Sequence, residues 1–312
     1  MINYYGIENN RLTLLKPGME LFWIDITSPS MEEIEYIISK YDLPQDYIFD
    51  VRDPQEISRI EGVGELDEAK MIMLLYPYKV SDDFYNTRPI SIILTHGIII
   101  TATSEKSSII NILKMDLECN FIDTKSREDF ALEIAWKISQ SFILAVRNLE
   151  VSISKVEKEM QKKSTKNELL FNMINIQKSL INFQMATREN GPILDTLYNA
   201  NDIFVAEVRE DLIRDLQVEN KQAEIMVEKA STMLEHLSEL YSNVISNNLN
   251  DVMKVLTSIT IVLTIPTIIS GLWGMNTDLP LMHSENAFYY LLAISAIISF
   301  LIIYYLKKRD YL

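Results

Sequence analysis

Six small or hydroxyl-bearing residues toward the end of the chain share one spacing. Thr257, Thr260, Thr264, Thr267, Gly271 and Gly274 lie 3, 4, 3, 4 and 3 positions apart. Alternating steps of three and four make a heptad seam, so all six project toward one side of a helix. Traced backwards, the seam continues through Met253, Asn250, Ser246, Asn243 and Glu239. The other sides carry Leu256, Ile259, Val262, Leu263, Ile268 and Ile269. Small and hydroxylated residues let membrane helices pack closely, which is one reading of the stripe. The other is a water-contacting lining, made when several copies surround an axis. A packing seam should turn apolar where it leaves the lipid, because apolar burial drives packing in water. This seam becomes more hydrophilic there, which favours a pore.

Two apolar segments must position that seam. Residues 255–272 carry no charge across 18 positions, and residues 287–306 carry none across 20. About 20 apolar residues cross the hydrocarbon core of a bilayer. Lys254 precedes the first span and Lys307-Lys308-Arg309 follow the second, while residues 274–286 hold no Lys or Arg. Both termini are therefore expected in the cytoplasm, in a plasma-membrane protein with a short outer loop. Trp273, Tyr289, Tyr290, Tyr304 and Tyr305 sit where aromatic belts form. Pro266 removes one helix hydrogen bond, and its freed carbonyl either faces the lumen or is met by Thr hydroxyls. Two spans cannot enclose a pore, so the function needs a ring of subunits.

Upstream of the spans the pattern is helical. Residues 127–161 form one long amphipathic segment, residues 162–167 a polar break and residues 168–189 a second helix ended by Gly191-Pro192. A third helical pattern follows Asp195, with no Gly until Gly271 and no Pro until Pro266 beyond Val208. An apolar stripe through Leu234, Leu237, Tyr241 and Val244 is available to neighbouring subunits. Residues 1–125 alternate between strand and helix. Strands are expected at 21–26, 70–78, 90–95 and 97–103, and a short helix at 46–51. Ser30 and Glu33 have capping-box spacing before a helix with Ile34, Ile37 and Ile38 on one face. The expected architecture is an α+β cytosolic domain (1–125), a helical stalk region (126–250), a pore-lining span (251–273), an outer loop (274–286), a second span (287–306) and a basic tail (307–312).

Composition excludes several functions. A net charge of −15 argues against nucleic-acid binding, which needs clustered Lys and Arg. The single cysteine, Cys119, cannot form an internal disulfide and fits a reducing compartment. His96, His236 and His283 lack metal-ligand spacing. Gly62-Val63-Gly64 lacks the Lys and spacing of a phosphate loop and reads as a turn. No nucleophile–base constellation is legible, so an enzyme is not expected, and no cofactor is implied. Residues 1–17 show no signal pattern.

The first span ends in Gly274-Met275-Asn276, followed by a short loop, a second span and a basic tail. This arrangement resembles the CorA family of magnesium channels, whose signature is Gly-Met-Asn in this place. The approach Asn250-Asp251-Val252-Met253-Lys254-Val255-Leu256-Thr257 is also similar. The resemblance implies a funnel-shaped homopentamer in a lipid bilayer. It implies that Gly274, Met275 and Asn276 form the selectivity filter, with a ring of Asn276 meeting hydrated Mg²⁺. It implies lumen positions at Asn250, Met253, Leu256, Thr260, Thr264, Thr267 and Gly271. The heptad seam prefers Thr257 to Leu256, and both are carried. Mg²⁺ gives up its waters reluctantly. A carboxamide ring can accept hydrogen bonds from those waters, whereas a carboxylate ring would hold the ion more tightly.

The family also senses cytosolic Mg²⁺ at acidic sites between subunits. Asp50, and Asp215 beside Arg214, fall at the corresponding positions, so Mg²⁺ is both cargo and regulator on this resemblance. Phe49 and Val218 stand where the family can have further acids, so the sensor is weaker or relocated. Asp278 and Glu285 are the only acids of the outer loop, with His283 between them, which leaves ion preference open. The leading expectation is Mg²⁺ influx, extending to Co²⁺ and Ni²⁺. Zn²⁺ or another transition metal on the same scaffold is an alternative, opposed by a lumen stripe without Cys or His. A membrane-anchored, non-conducting scaffold or sensor is a third.

Overall fold

The computed structural model describes residues 1–8, 11–62, 69–95, 97–105, 110–111, 126–161, 167–199, 208–275, 286–309 and 311. The chain divides into two compact units, Met1–Leu237 and Ser238–Leu312.

The first unit is built on a seven-stranded sheet. Its strands are β1 (Ile2–Glu8), β2 (Arg11–Leu14), β3 (Leu21–Thr27), β4 (Arg59–Glu61), β5 (Lys70–Ser81), β6 (Phe84–Thr95) and β7 (Ile98–Thr103), in the order β2-β1-β3-β7-β6-β5-β4. Only β3 and β7 run parallel. Both faces are buried, so the central strands alternate between two cores. Along β7, Ile99 enters one core while Ile98, Ile100 and Ala102 enter the other. That is why the unbroken run Ile98-Ile99-Ile100 is a strand buried on both sides.

Helices α1 (Met31–Tyr41) and α2 (Asp46–Phe49) cover one face. The capping box at α1 is complete: Ser30 Oγ accepts the Glu33 N–H and Glu33 accepts the Ser30 N–H. Asp42 then ends the helix in left-handed geometry. A 3₁₀ turn, Asp50–Arg52, follows α2. Gly62 has φ +75°, and a Cβ there would strike the Ala69 carbonyl, so the turn expected at this place needs glycine. Val63 and Gly64 lie outside the described residues, as do His96, Cys119 and His283.

The other face is covered by α3 (Arg127–Gln161), α4 (Asn167–Asn199) and the start of α5 (Val208–Trp273). Two sequence expectations change here. First, α4 does not end at Gly191-Pro192 but runs on to Asn199. An interior proline costs about 3 kcal/mol. Beyond it, Leu194 and Leu197 are buried, each worth about 1.5–3 kcal/mol. Burial therefore offsets the missing N–H bond. Second, Leu234 and Leu237 are buried in this chain's own core. They belong to the stripe through Ile213, Leu216, Val227 and Ala230 by which α5 joins this core beside α3 and α4, so they are not free for neighbours.

Three strands escaped the sequence reading: β1, β2 and β4. β1 carries Tyr5, whose ring stacks on Trp23 at 4.6 Å. β4 pairs with β5 only along Met71–Met73. Just past its end, Asn190 of α4 takes over the edge. Its Oδ1 accepts the Leu75 N–H at 3.0 Å and its Nδ2 donates to the Leu75 carbonyl at 2.9 Å. Ser58 Oγ donates to the same Oδ1 at 2.7 Å.

Asn190→Ala should lower stability by about 2–3 kcal/mol, because two buried main-chain groups lose their partners. A denaturant midpoint unchanged from wild type would refute the clamp. The capping box has a pH signature. The Ser30 N–H and the N-terminal ammonium hold the Glu33 carboxyl below its ordinary range. A carboxylate with a depressed folded-state pKa stabilises above its unfolded value and loses that contribution as pH falls through the folded one. The advantage of wild type over Glu33→Gln in melting temperature should therefore be full at neutral pH and fade on acidification.

Candidate functional site

The second unit holds the C-terminal part of α5 and the whole of α6 (Ala287–Lys308). Both are long and apolar enough to cross a membrane. α5 runs through Pro266 without a break. Its exposure is one-sided. Ser258, Val262, Ile265, Ile269 and Trp273 are covered or half-covered, at steps of four, three, four and four residues. On α6 the covered side is Ala287, Leu291, Ser295, Ser299, Ile302 and Leu306. Among the described residues, the unit contains no other regular element to supply that cover. The hairpin helices thus turn these faces to one another.

The heptad seam lies on the opposite side of α5. Asn250, Met253, Leu256, Thr257, Thr260, Thr264, Thr267, Gly271 and Gly274 are all exposed in the chain. The hydroxyl stripe is therefore not the packing seam of its own hairpin. The hydroxyls are also oriented. Thr260 donates to the Leu256 carbonyl at 2.9 Å, Thr264 to Thr260 at 2.7 Å and Thr267 to Leu263 at 3.0 Å. Each proton is held inside its own helix, so the oxygens offer lone pairs outward. This differs from the expectation that Thr hydroxyls meet the carbonyl freed by Pro266, which belongs to Val262. The geometry is local: a hydroxyl reaches four residues back and Val262 has no Thr at the matching position.

α5 closes with the Gly274 N–H donating to Ser270 at 3.0 Å and the Met275 N–H to Leu272 at 3.3 Å. Met275 is exposed. Asn276 lies outside the described residues, as do Asp278 and Glu285.

In the first unit, Asp50 and Asp215 occupy different settings. Asp215 is exposed on α5. Asp50 is half-buried and bound to Arg59, whose Nη2 donates to Asp50 Oδ2 at 2.8 Å. The same guanidinium donates to Glu61 at 2.5 Å and to Glu56, and lies 4.0 Å from Asp46. Burial works against the Arg59 charge, but the hydrogen bonds it donates to Glu61 and Asp50 outweigh that and raise its pKa. Among the described residues, no three His, Cys, Asp or Glu side chains are placed to hold a metal ion. Arg59 was missed in the sequence reading. The signal available was one arginine following Asp46, Asp50 and Glu56 and preceding Glu61, in a segment otherwise rich in acid. Phe49 and Val218 are exposed apolar residues.

Fold and site define an integral membrane protein of the transport class, with a polar helix face left over after its own hairpin has packed. A family model described as CorA-like Mg²⁺ transporter protein matches residues 19–308, and the chain belongs to the CorA family. Members of this family move ions and are not enzymes. The cobalt/magnesium transport protein CorA of Methanocaldococcus jannaschii is 23% identical over 305 residues, covering 94% of this chain and 92% of that protein. The complete structure of the CorA magnesium transporter from the same organism superposes with a TM-score of 0.83 at 20% identity, covering 97% of this chain and 96% of the other. The ZntB cytoplasmic domain from Vibrio parahaemolyticus is similar at a TM-score of 0.60 and 14% identity, covering 80% of this chain and 97% of that domain.

Arg59→Ala should cost about 2–3 kcal/mol at neutral pH, because partly buried carboxylates lose their shared cation. The loss should shrink at high salt, which screens charge pairs that are only partly buried. Equal losses at low and high salt would show that packing, not charge, is what Arg59 supplies.

Proposed function

We propose that this protein is a divalent-cation channel that admits Mg²⁺ to the cell, as a ring of five copies around the exposed face of α5. The carrying observation is the Thr260–Thr264–Thr267 face, turned away from its own hairpin with its protons already committed. A hydrated cation presents water hydrogens outward. A wall of lone pairs accepts those hydrogens and leaves the inner shell intact, which suits an ion that dehydrates reluctantly. The names of the curated relatives support Mg²⁺ and Co²⁺ as cargo, and Ni²⁺ follows as a similar small dication. Gly274, Met275 and Asn276 form the outer filter, and Asn250, Met253, Leu256, Thr257, Thr260, Thr264, Thr267 and Gly271 the lumen. Both termini face the cytoplasm across the plasma membrane. The driving force is the membrane potential, about 2.3 kcal/mol per charge per 100 mV and twice that for a dication.

Cytosolic Mg²⁺ closes the ring by bridging Asp50 and Asp215 of adjacent copies. Arg59 competes with the ion for Asp50, so closing requires more Mg²⁺ than an unpaired carboxylate would.

Mg²⁺ uptake into liposomes containing the purified protein tests the conduction claim. Asn276→Ala should reduce uptake by about tenfold or more, since the outer ring would lose its acceptors. Equal uptake would remove Asn276 from the filter. Competition by Co²⁺, Ni²⁺ and Zn²⁺ ranks the ions, and dominant Zn²⁺ transport would replace the Mg²⁺ assignment. In the same vesicles, Asp50→Asn with Asp215→Asn should move closing to higher internal Mg²⁺. An unshifted dependence rejects these two residues as the sensor.

A further inference from the structure

From Ser242 to Met275 one residue alone is buried: Ser258, at 0% exposure. On α6 the only buried residue is Leu306. The two are joined through the tail. Ser258 Oγ donates to the main-chain carbonyl of Tyr311 at 3.0 Å, and the Tyr311 N–H donates to the Leu306 carbonyl at 3.1 Å. The Arg309 N–H donates to the same Leu306 carbonyl at 3.1 Å, and its guanidinium lies 5.8 Å from the Tyr305 ring. Past α6 the chain thus turns back and hooks the first span from behind.

The hook sits where the seam is least decided. At about 100° per residue, Ser258 lies about 150° around α5 from the centre of the seam, and Leu256 and Thr257 lie about 50° to either side of that centre. A modest rotation of α5 therefore exchanges an apolar side chain for a hydroxyl at the axis. An apolar ring excludes water and blocks ions, whereas a hydroxyl ring admits them. Left unrestrained beside water, the helix turns Thr257 inward and Leu256 away, because apolar burial favours it. A bond fixed to the rear of the helix can oppose that rotation.

We propose that Ser258 is the positioning residue of this helix: hooked to the Tyr311 carbonyl, it holds Leu256 toward the axis and so sets the barrier at the cytosolic end of the pore. The inference rests on the pore reading above.

Single cysteines at Leu256 or Thr257, in a Cys119→Ala background of the full chain, report which side chain meets water. The probe is a membrane-impermeant thiosulfonate applied to proteoliposomes from the side facing the cytosolic unit. Ser258→Ala should raise the rate of modification at Thr257→Cys relative to Leu256→Cys by about fivefold or more, the equivalent of one lost hydrogen bond. Deleting residues 311–312 should give the same shift, and the two changes together should not add. Ser258→Thr, which keeps the hydroxyl, should return the ratio toward wild type. A ratio that stays put, or moves toward Leu256, in both Ser258→Ala and the tail deletion overturns the proposal while leaving the pore reading intact. If neither reporter nor a third at Thr264 reacts in any background, the pore reading fails and the hook's role fails with it.

Discussion

A hydroxyl on a lipid-spanning helix must give its proton to something, and here the nearest acceptor is the carbonyl four residues back. That bond governs the rest. It lets threonine sit in an apolar span without an unsatisfied donor. It also fixes the polarity of what remains exposed, because an oxygen whose proton is engaged can only accept. Three such residues in succession give the first span an acceptor-only face. The second span covers the opposite side, so the hairpin has neither need nor means to bury that face itself. The proposed assembly around a shared axis rests on this division of labour between the two sides of one helix.

Much of the membrane unit was legible in the sequence because its determinants are local. Uncharged length identifies the spans, and the alternation of three and four residues identifies the seam. Heptad arithmetic requires nothing from the rest of the molecule. Ser258 was not legible. It is one serine on the apolar side of the span, and its role depends on a main-chain carbonyl 53 residues away. Nothing in the residue types records that meeting.

In the first unit the same rule separates successes from failures. Ser30 and Glu33 lie three residues apart and cap α1 as their spacing requires. Gly191-Pro192 is an equally local signal, but it was overridden. Leucines beyond the proline find a core contributed by other elements, and Asn190 is tied to a strand 115 residues earlier. Strands β1 and β2 lack clear alternation, and are strands because β3 offers β1 an edge and β1 in turn offers one to β2. Asp50 shows the limit for charged sites. Its position suggested an open carboxylate, whereas its nearest partner is a guanidinium from a short strand nine residues on.

The Asn190 clamp has a consequence for proteostasis. β4 is only three residues long, so the adjacent margin of β5 would otherwise display bare amide and carbonyl groups beside hydrophobic side chains. Such margins recruit foreign strands and seed insoluble deposits. An oligomer concentrates identical margins, and nascent chains emerging beside one another do the same. By saturating Leu75 from a helix, the molecule closes that avenue with one carboxamide, without lengthening a strand or adding charge.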